Sequence, residues 1–483
     1  MRSRSKHFIL KHMLSILGKP ARACDGFTRR EMLHVGSLAA LGLSLPQVLT
    51  GTPSVSAGGN IPGRGRARAC VLIYLFGGPS QLETFDLKPD APSHVRGEFN
   101  PIATNVSGIQ ICEHLPRLAS LADKYCLIRS MHHEHPRHGW GLYHMLTGHR
   151  HSRPDLDAPP TGDDFPGIGA LVTRLKTARH GVPTAVTLPR WNRFLDLPND
   201  YAGEKAGFLG SAFDPWLVRS LSDGLAFQPE GLALPVDVPV GRLGERRQLL
   251  AAVDRQIAAW GETGQAHDAM HAQAMHLVTS SAIRRAFDLN GEPQPLRERY
   301  GRHPFGQGLL LARRLVEAGT TLVQVNWHND GSDVKSPFWD THKDNFNTLR
   351  DKLLPPADVG LSAFLEDMRV RGLLANTLVL VMGEFGRTPR IGQVVMNGAT
   401  DSSGRDHWPH AYTVLAAGAG IRGGTVHGSS DDRAAYVRDD GVTPPDLHAT
   451  VLHLLGIDRD AIIFDRQGRP HMASEGRPVL GLL

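Results

Sequence analysis

Carboxylates and imidazoles recur in three short clusters over the last third of this chain: Asp340-Thr341-His342, Glu384 within Gly383-Glu384-Phe385-Gly386-Arg387, and Asp406-His407 followed by His410. These are ligand types that suit zinc, manganese and related divalent ions. Asp340 and His342 are two apart, so in an extended segment both side chains point the same way and can meet one ion. Glu384 directly follows the apolar run 377–382. A carboxylate there needs a cation, an arginine or hydrogen-bond donors to offset its desolvation; a metal, or an ion pair with Arg387 or Arg390, would serve. The gap between His407 and His410 suits a turn converging on a metal, or else a polar loop with one hydrogen-bonded histidine. Three such clusters coincide by chance far less readily than one. The expectation is a single site in which Asp340, His342, Glu384, Asp406, His407 and His410 hold a divalent metal, zinc or manganese foremost, with calcium or magnesium as alternatives.

The elements that must position these clusters are apolar strands. Runs at 69–76, 125–129, 321–327, 377–382 and 412–417 read as buried strands, and 140–146, 305–318, 356–371 and 444–455 as helices, with Gly319 and Gly456 at helix stops. Strands without polar alternation suit a sheet covered on both faces. Their alternation with helices predicts an α/β fold with a mixed, mainly parallel sheet flanked by helices on both faces. Ligands gather in the loops at one end of such a sheet. The middle, about 152–305, is Pro-rich at 154–166 and 229–240, with helices expected at 243–260 and 267–286. It reads as an irregular, helical insertion that shapes a cleft or packs over the sheet.

The 483 residues are 41% hydrophobic and 21% charged, the balance of a globular protein with a large core. The formal charge of +5 comes from residues 1–57, where eight Lys/Arg face two acids; the remainder carries −1. A basic nucleic-acid surface is therefore not implied. Arg29-Arg30, the mildly apolar stretch 35–45 and Val55-Ser56-Ala57 resemble a twin-arginine export signal, followed by a Gly/Arg-rich linker at 58–68 and a domain over 69–483. That predicts an exported protein, periplasmic or on the cell surface, handled by the twin-arginine translocation machinery. No permanent membrane span is expected, since no run approaches the ~18 apolar residues one requires. Outside the signal, Cys70, Cys112 and Cys126 have no CxxC spacing, so neither a zinc ribbon nor a disulfide scaffold is indicated.

The segments Phe76-Gly77-Gly78-Pro79-Ser80-Gln81-Leu82-Glu83-Thr84-Phe85-Asp86, Trp339-Asp340-Thr341-His342, Gly383-Glu384-Phe385-Gly386-Arg387-Thr388-Pro389 and Gly404-Arg405-Asp406-His407-Trp408 resemble the domain of unknown function 1501 family, placed in the alkaline phosphatase–sulfatase superfamily. The resemblance spans nearly the whole chain. It implies an alkaline phosphatase-like fold, one or two divalent ions at the carboxyl ends of the strands, and a nucleophile that forms a covalent phospho- or sulfo-enzyme. Asp340 and His342 are similar to the pair for one metal, and His407 or His410 to a later histidine ligand. Glu384 stands where relatives carry Asp-His, and Phe385 departs from that pattern. Leu146-Thr147-Gly148-His149-Arg150 is similar to the ending of the sulfatase nucleophile helix, and counting back nine residues from Thr147 reaches His138. No Cys-x-Pro-x-Arg signature is present, which argues against a formylglycine sulfatase. Gly77-Gly78 stands where relatives place metal-binding aspartates; Glu83 and Asp86 are substitutes or simply loop residues.

His138 is thus the candidate nucleophile or general base, with Ser80 and Thr84 as alternatives and Arg387 as a group that either stabilises charge on the reacting oxygen or supports the metal ligands from behind. A divalent ion can also lower the pKa of its water to about 7, making a protein nucleophile unnecessary. His138 belongs to a set of seven histidines between 132 and 151, some of them candidate metal ligands and at least four expected to be surface or core residues of a loop. The function expected is an exported metal-dependent hydrolase of phosphate or sulfate esters, its substrate a small molecule or a glycan ester. The alternative is a catalytically degenerate binding or scaffold protein on the same fold, recognising an anionic glycan or a surface partner.

Overall fold

A computed structural model describes residues 62–153, 159–176, 181–194, 199–221, 224–229, 280–327, 338–396 and 401–483. The expected export signal, the first four linker residues (58–61), the helix expected at 243–260 and most of that expected at 267–286 lie outside the described residues. Nine strands form the central sheet: β1 (Ala69–Tyr74), β2 (Tyr125–Met131), β3 (Ala185–Leu188), β4 (Trp216–Ser220), β5 (Phe227–Pro229), β6 (Leu322–Asn326), β7 (Thr377–Met382), β8 (Tyr412–Ala417) and β9 (Thr425–His427). Their spatial order is β9-β2-β8-β7-β1-β6-β3-β4-β5. All pairings are parallel except those of β8 with β2 and β7 and of β5 with β4. Every residue of β1, β6, β7 and β8 is buried, as their largely apolar runs predict, with Gln324, Asn326 and Thr413 among the buried polar exceptions. The mixed, mostly parallel sheet with flanking helices is therefore as the sequence implies.

The principal helices are α1 (His138–Thr147), α2 (Ile168–Leu175), α3 (Pro304–Ala318), α4 (Leu354–Val370) and α5 (Pro444–Leu454). In α3, Pro304 occupies the first turn, the His303 ring accepts the Gly306 amide at 3.1 Å, and Gly319 closes the helix at φ +108°. These are the start and stop signals that helix ends require. Leu309, Leu310, Leu311 and Leu315 of this helix are fully buried; each contributes on the order of 1.5–3 kcal/mol of hydrophobic stabilisation.

The middle region differs from expectation. Its described part supplies β3, β4 and β5, so it extends the sheet by three strands. These strands are three to five residues long and flanked by turns, too short for a periodicity to stand out. Cys112 and Cys126 are free buried thiols, as is Cys70.

The reversed direction of β8 is what assembles the site. Parallel strands β1, β2, β6 and β7 deliver their carboxyl ends to one edge of the sheet, while antiparallel β8 begins there. The segment before β8, carrying Asp406, His407 and His410, therefore lies beside the segments that follow β1, β2 and β7.

Candidate metal centre

Two glycines end β1 because the backbone beyond them must pass very close. Gly77 has φ +112°, and a Cβ there would stand 2.6 Å from the Trp339 nitrogen and closer still to that of Asp340. Gly78 has φ +80°, and its Cβ would meet the Phe385 ring at 2.7 Å. Only glycine combines this conformation with this proximity. The pair lets the Trp339-Asp340 segment lie directly on the strand end, where the Gly77 amide also donates to Glu384 Oε1 at 2.9 Å.

Four side chains converge there. His138, Asp340, His342 and His407 each offer one ligand atom, and these atoms all lie within 4.8 Å of one another. Asp340 Oδ1 is 3.0 Å from His342 Nε2 and 3.1 Å from His407 Nε2; Asp340 Oδ2 is 3.4 Å from His138 Nε2. His138 reaches the group from the first turn of α1. This helix packs so closely that a Cβ on Gly141 would stand 3.1 Å from that of Glu384.

The far nitrogen of each imidazole faces an acceptor. His138 Nδ1 lies 2.5 Å from Glu384 Oε1, His407 Nδ1 lies 2.6 Å from the Pro136 carbonyl, and His342 Nδ1 is 3.5 Å from Asp406 Oδ1. A carbonyl can only accept, so His407 Nδ1 carries the proton and its Nε2 presents a lone pair. Such outer partners orient histidines for metal ligation and set their tautomer.

Asp340 is anchored from behind. Arg387 is fully buried, and its Nη2 donates to Asp340 Oδ1 at 2.6 Å and to the carbonyls of Gly77 and Trp339. Its Nε and Nη1 are taken by the carbonyls of Gly78 and Arg405. Burial opposes the charge on Asp340, but Arg387 and His138 outweigh it and hold the carboxyl well below the usual range. Burial likewise opposes protonation of His138; the Asp340 and Glu384 carboxylates prevail and lift its pKa to about 9. His407 goes the other way, to about 3, through burial and the nearby His138.

The donor set fits a cation. His138 Nε2 is buried and lies 3.4 Å from Asp340 Oδ2, without a well-aligned hydrogen bond among the described residues. His342 Nε2 and His407 Nε2 stand 2.9 Å apart beside an ionised carboxylate. Three nitrogen donors and one carboxylate match the ligand preference of zinc or manganese better than that of calcium or magnesium, which favour all-oxygen sites.

The structure thus brings Asp340, His342 and His407 together and adds His138 to them. Glu384, Asp406 and His410 stand outside that four-donor set. Glu384 is fully buried and faces His138. Asp406 Oδ2 accepts the amides of Val395 and Met396 at 2.6 and 2.8 Å, closing the loop that carries His407. His410 lies 4.8 Å from the Trp408 ring and 5.4 Å from that of Tyr436, on a separate cavity. Ser80 bonds Glu83, which is paired with Arg405 at 2.7 Å; Thr84 bonds the Ser80 carbonyl, and Asp86 pairs with Lys88 at 3.0 Å. That segment is committed to holding the loops. Gly77-Gly78 departs from the metal-binding aspartates that the resemblance implies here; two adjacent glycines after a buried strand signal a close backbone approach.

The model of a family described as a protein of unknown function (DUF1501) matches residues 67–483. No curated protein matches the sequence. Among solved structures, the chain is similar to a protein in the alkaline phosphatase superfamily from Vibrio parahaemolyticus, with 13% identity, coverage of 82% of this chain and 67% of that one, and a TM-score of 0.39. It is similar to the PsFucS1 sulfatase from Pseudoalteromonas sp., with 13% identity, 88% and 71% coverage and a TM-score of 0.36. It is also similar to the phosphonate monoester hydrolase SpPMH from Silicibacter pomeroyi, with 14% identity, 85% and 75% coverage and a TM-score of 0.32.

Proposed function

The chain belongs to the DUF1501 family, and we propose that it is an exported, metal-dependent hydrolase of phosphate or sulfate esters built on an alkaline phosphatase-like fold. One observation carries the reading: four donors from three separate stretches of chain, His138, Asp340 with His342, and His407, meet with their ligand atoms within 4.8 Å of one another. A bound zinc or manganese ion would polarise the ester oxygen and offset charge developing on it in the transition state.

The chain's own residues have separable tasks. His138, Asp340, His342 and His407 bind the ion. Glu384 and the Pro136 carbonyl hold the Nδ1 protons of His138 and His407, so that each Nε2 faces inward. Arg387 positions Asp340; with its nitrogens already bonded to protein acceptors and its side chain fully buried, it is a positioning residue and does not reach the substrate. His138 is better suited to ligation than to nucleophilic attack, because its Nε2 points at Asp340. Phe385 packs at 4.9 Å on His138 and 4.6 Å on His407, a fully buried wall that keeps water from the rings on that side.

Export rests on the Arg29-Arg30 segment. No helix among the described residues is long and apolar enough to cross a membrane. A second reading, a binding protein with a structural ion, is favoured by the commitment of Ser80 and Thr84 to buried hydrogen bonds, which leaves neither hydroxyl for attack. Hydrolysis of aryl phosphates, phosphodiesters, phosphonates and aryl sulfates, assayed before and after chelation and on adding zinc or manganese, decides between them. Metal-restored turnover of one class supports the hydrolase. Silence across all four with metal bound supports the binding protein.

A further inference from the structure

A cavity of about 1070 Å³ is lined by none of the four donors of the metal centre. Its nearest link is His133, whose Nε2 donates to the Glu384 carbonyl at 2.5 Å. The volume is just above the ~300–1,000 Å³ usual for small-molecule sites, enough for several linked rings.

Its walls combine aromatic faces with uncharged imidazoles. Trp140, Phe165 and Tyr436 line it, and the Tyr436 side chain stands 55% exposed. His132, His144, His149 and His410 also line it. Burial pushes all four down, His144 to about 2 and His149 to about 4, so they are neutral at physiological pH. A neutral imidazole has one N–H donor and one acceptor nitrogen. His132 Nδ1 and His144 Nδ1 are buried with no hydrogen-bond partner among the described residues, and the His144 side chain is only 4% exposed.

The charges at the cavity exclude two ligand classes. Glu134, Asp446 and Glu475 line it with one guanidinium, Arg150, which is paired with Glu134 at 2.9 Å; Glu475 lies 3.6 Å from His149 Nδ1, and Asp446 caps the start of α5. This surplus of carboxylate repels an anion. A cation would leave the imidazole N–H donors unused. Aromatic faces beside groups that both donate and accept suit a ligand with apolar ring faces and hydroxyl edges.

We infer that this cavity is a binding site for an uncharged saccharide, separate from the metal centre and independent of whether that centre hydrolyses esters. Isothermal titration of the full chain with neutral gluco-, manno-, galacto- and xylo-configured tetrasaccharides, their sulfated counterparts and choline tests it. At least one neutral tetrasaccharide is expected to bind. Tyr436→Ala, at an exposed position, and His144→Phe, which keeps a ring but removes its nitrogens, should each weaken binding about tenfold; His342→Ala should leave it unchanged. The inference is overturned if no neutral saccharide binds, if neither cavity variant weakens binding, or if a sulfated saccharide or choline binds in preference.

Discussion

Glu384 Oε1 and His138 Nδ1 lie 2.5 Å apart, both buried, with the Gly77 amide bonded to the same oxygen at 2.9 Å. The carboxylate at the end of β7 therefore acts on the cluster through a histidine. Glu384→Gln should keep the fold while weakening zinc affinity by roughly 10–100-fold, the usual effect of losing an outer partner. Competition against a chromophoric chelator measures this. An unchanged affinity would show that His138 does not depend on Glu384.

The close approach at Gly77 predicts a graded cost. Gly372 also has positive φ, +70°, but open space around its Cβ position, so Gly372→Ala should cost about 1–2 kcal/mol. Gly77→Ala adds a clash with the Asp340 backbone and should cost clearly more. It should also lose metal affinity, because Asp340 must move. Urea unfolding of both variants checks the order.

His138 is predicted to set the pH dependence of metal binding. Its pKa of about 9 in the metal-free protein means that an ion must displace a proton at any lower pH. His407, at about 3, and Asp340, held well below the carboxylate range, are already deprotonated. Zinc affinity should therefore rise roughly tenfold per pH unit from about pH 6.5, flattening near pH 9, with about one proton released per ion. Proton release in lightly buffered solution and chelator competition across this range measure the slope. A flat profile would place His138 outside the site.

His407 and His410 are three residues apart but occupy different surroundings. His407→Ala should lose more metal affinity than the ~10–100-fold of an outer partner, whereas His410→Ala should leave it unchanged. Equal losses in the two variants would contradict the four-donor set.

Arg387 is predicted to matter for the fold as much as for the site. Arg387→Met leaves the Asp340 charge and several carbonyls without their donor, a loss on the order of 3–5 kcal/mol. The thermal midpoint should fall in metal-free protein too, which a purely catalytic role would not produce.

The long apolar runs made the centre of the sheet legible. Strands at 377–382 and 412–417 are found with the expected bounds, and α3 starts one residue earlier than its pattern suggests. The three short strands of the middle region were not legible, because three to five residues carry too little periodicity. At the site, residue chemistry pointed to Asp340, His342 and His407, but spacing alone could not separate a donor from the group behind it. Glu384 and Asp406 have ligand chemistry, yet one sits behind His138 and the other braces a loop, a distinction made only by the path of the backbone. His138 was singled out by its place on a helix similar to one bearing a nucleophile, while its inward-facing Nε2 emerges only when α1 packs on the end of β7.

The most direct test is the anomalous scattering of a crystal grown with zinc. The account predicts one strong peak at about 2.0–2.2 Å from His138 Nε2, His342 Nε2, His407 Nε2 and an Asp340 carboxylate oxygen, the usual zinc distances, with Glu384 and Asp406 beyond the coordination sphere. A peak among other side chains, or none at these four, would contradict it.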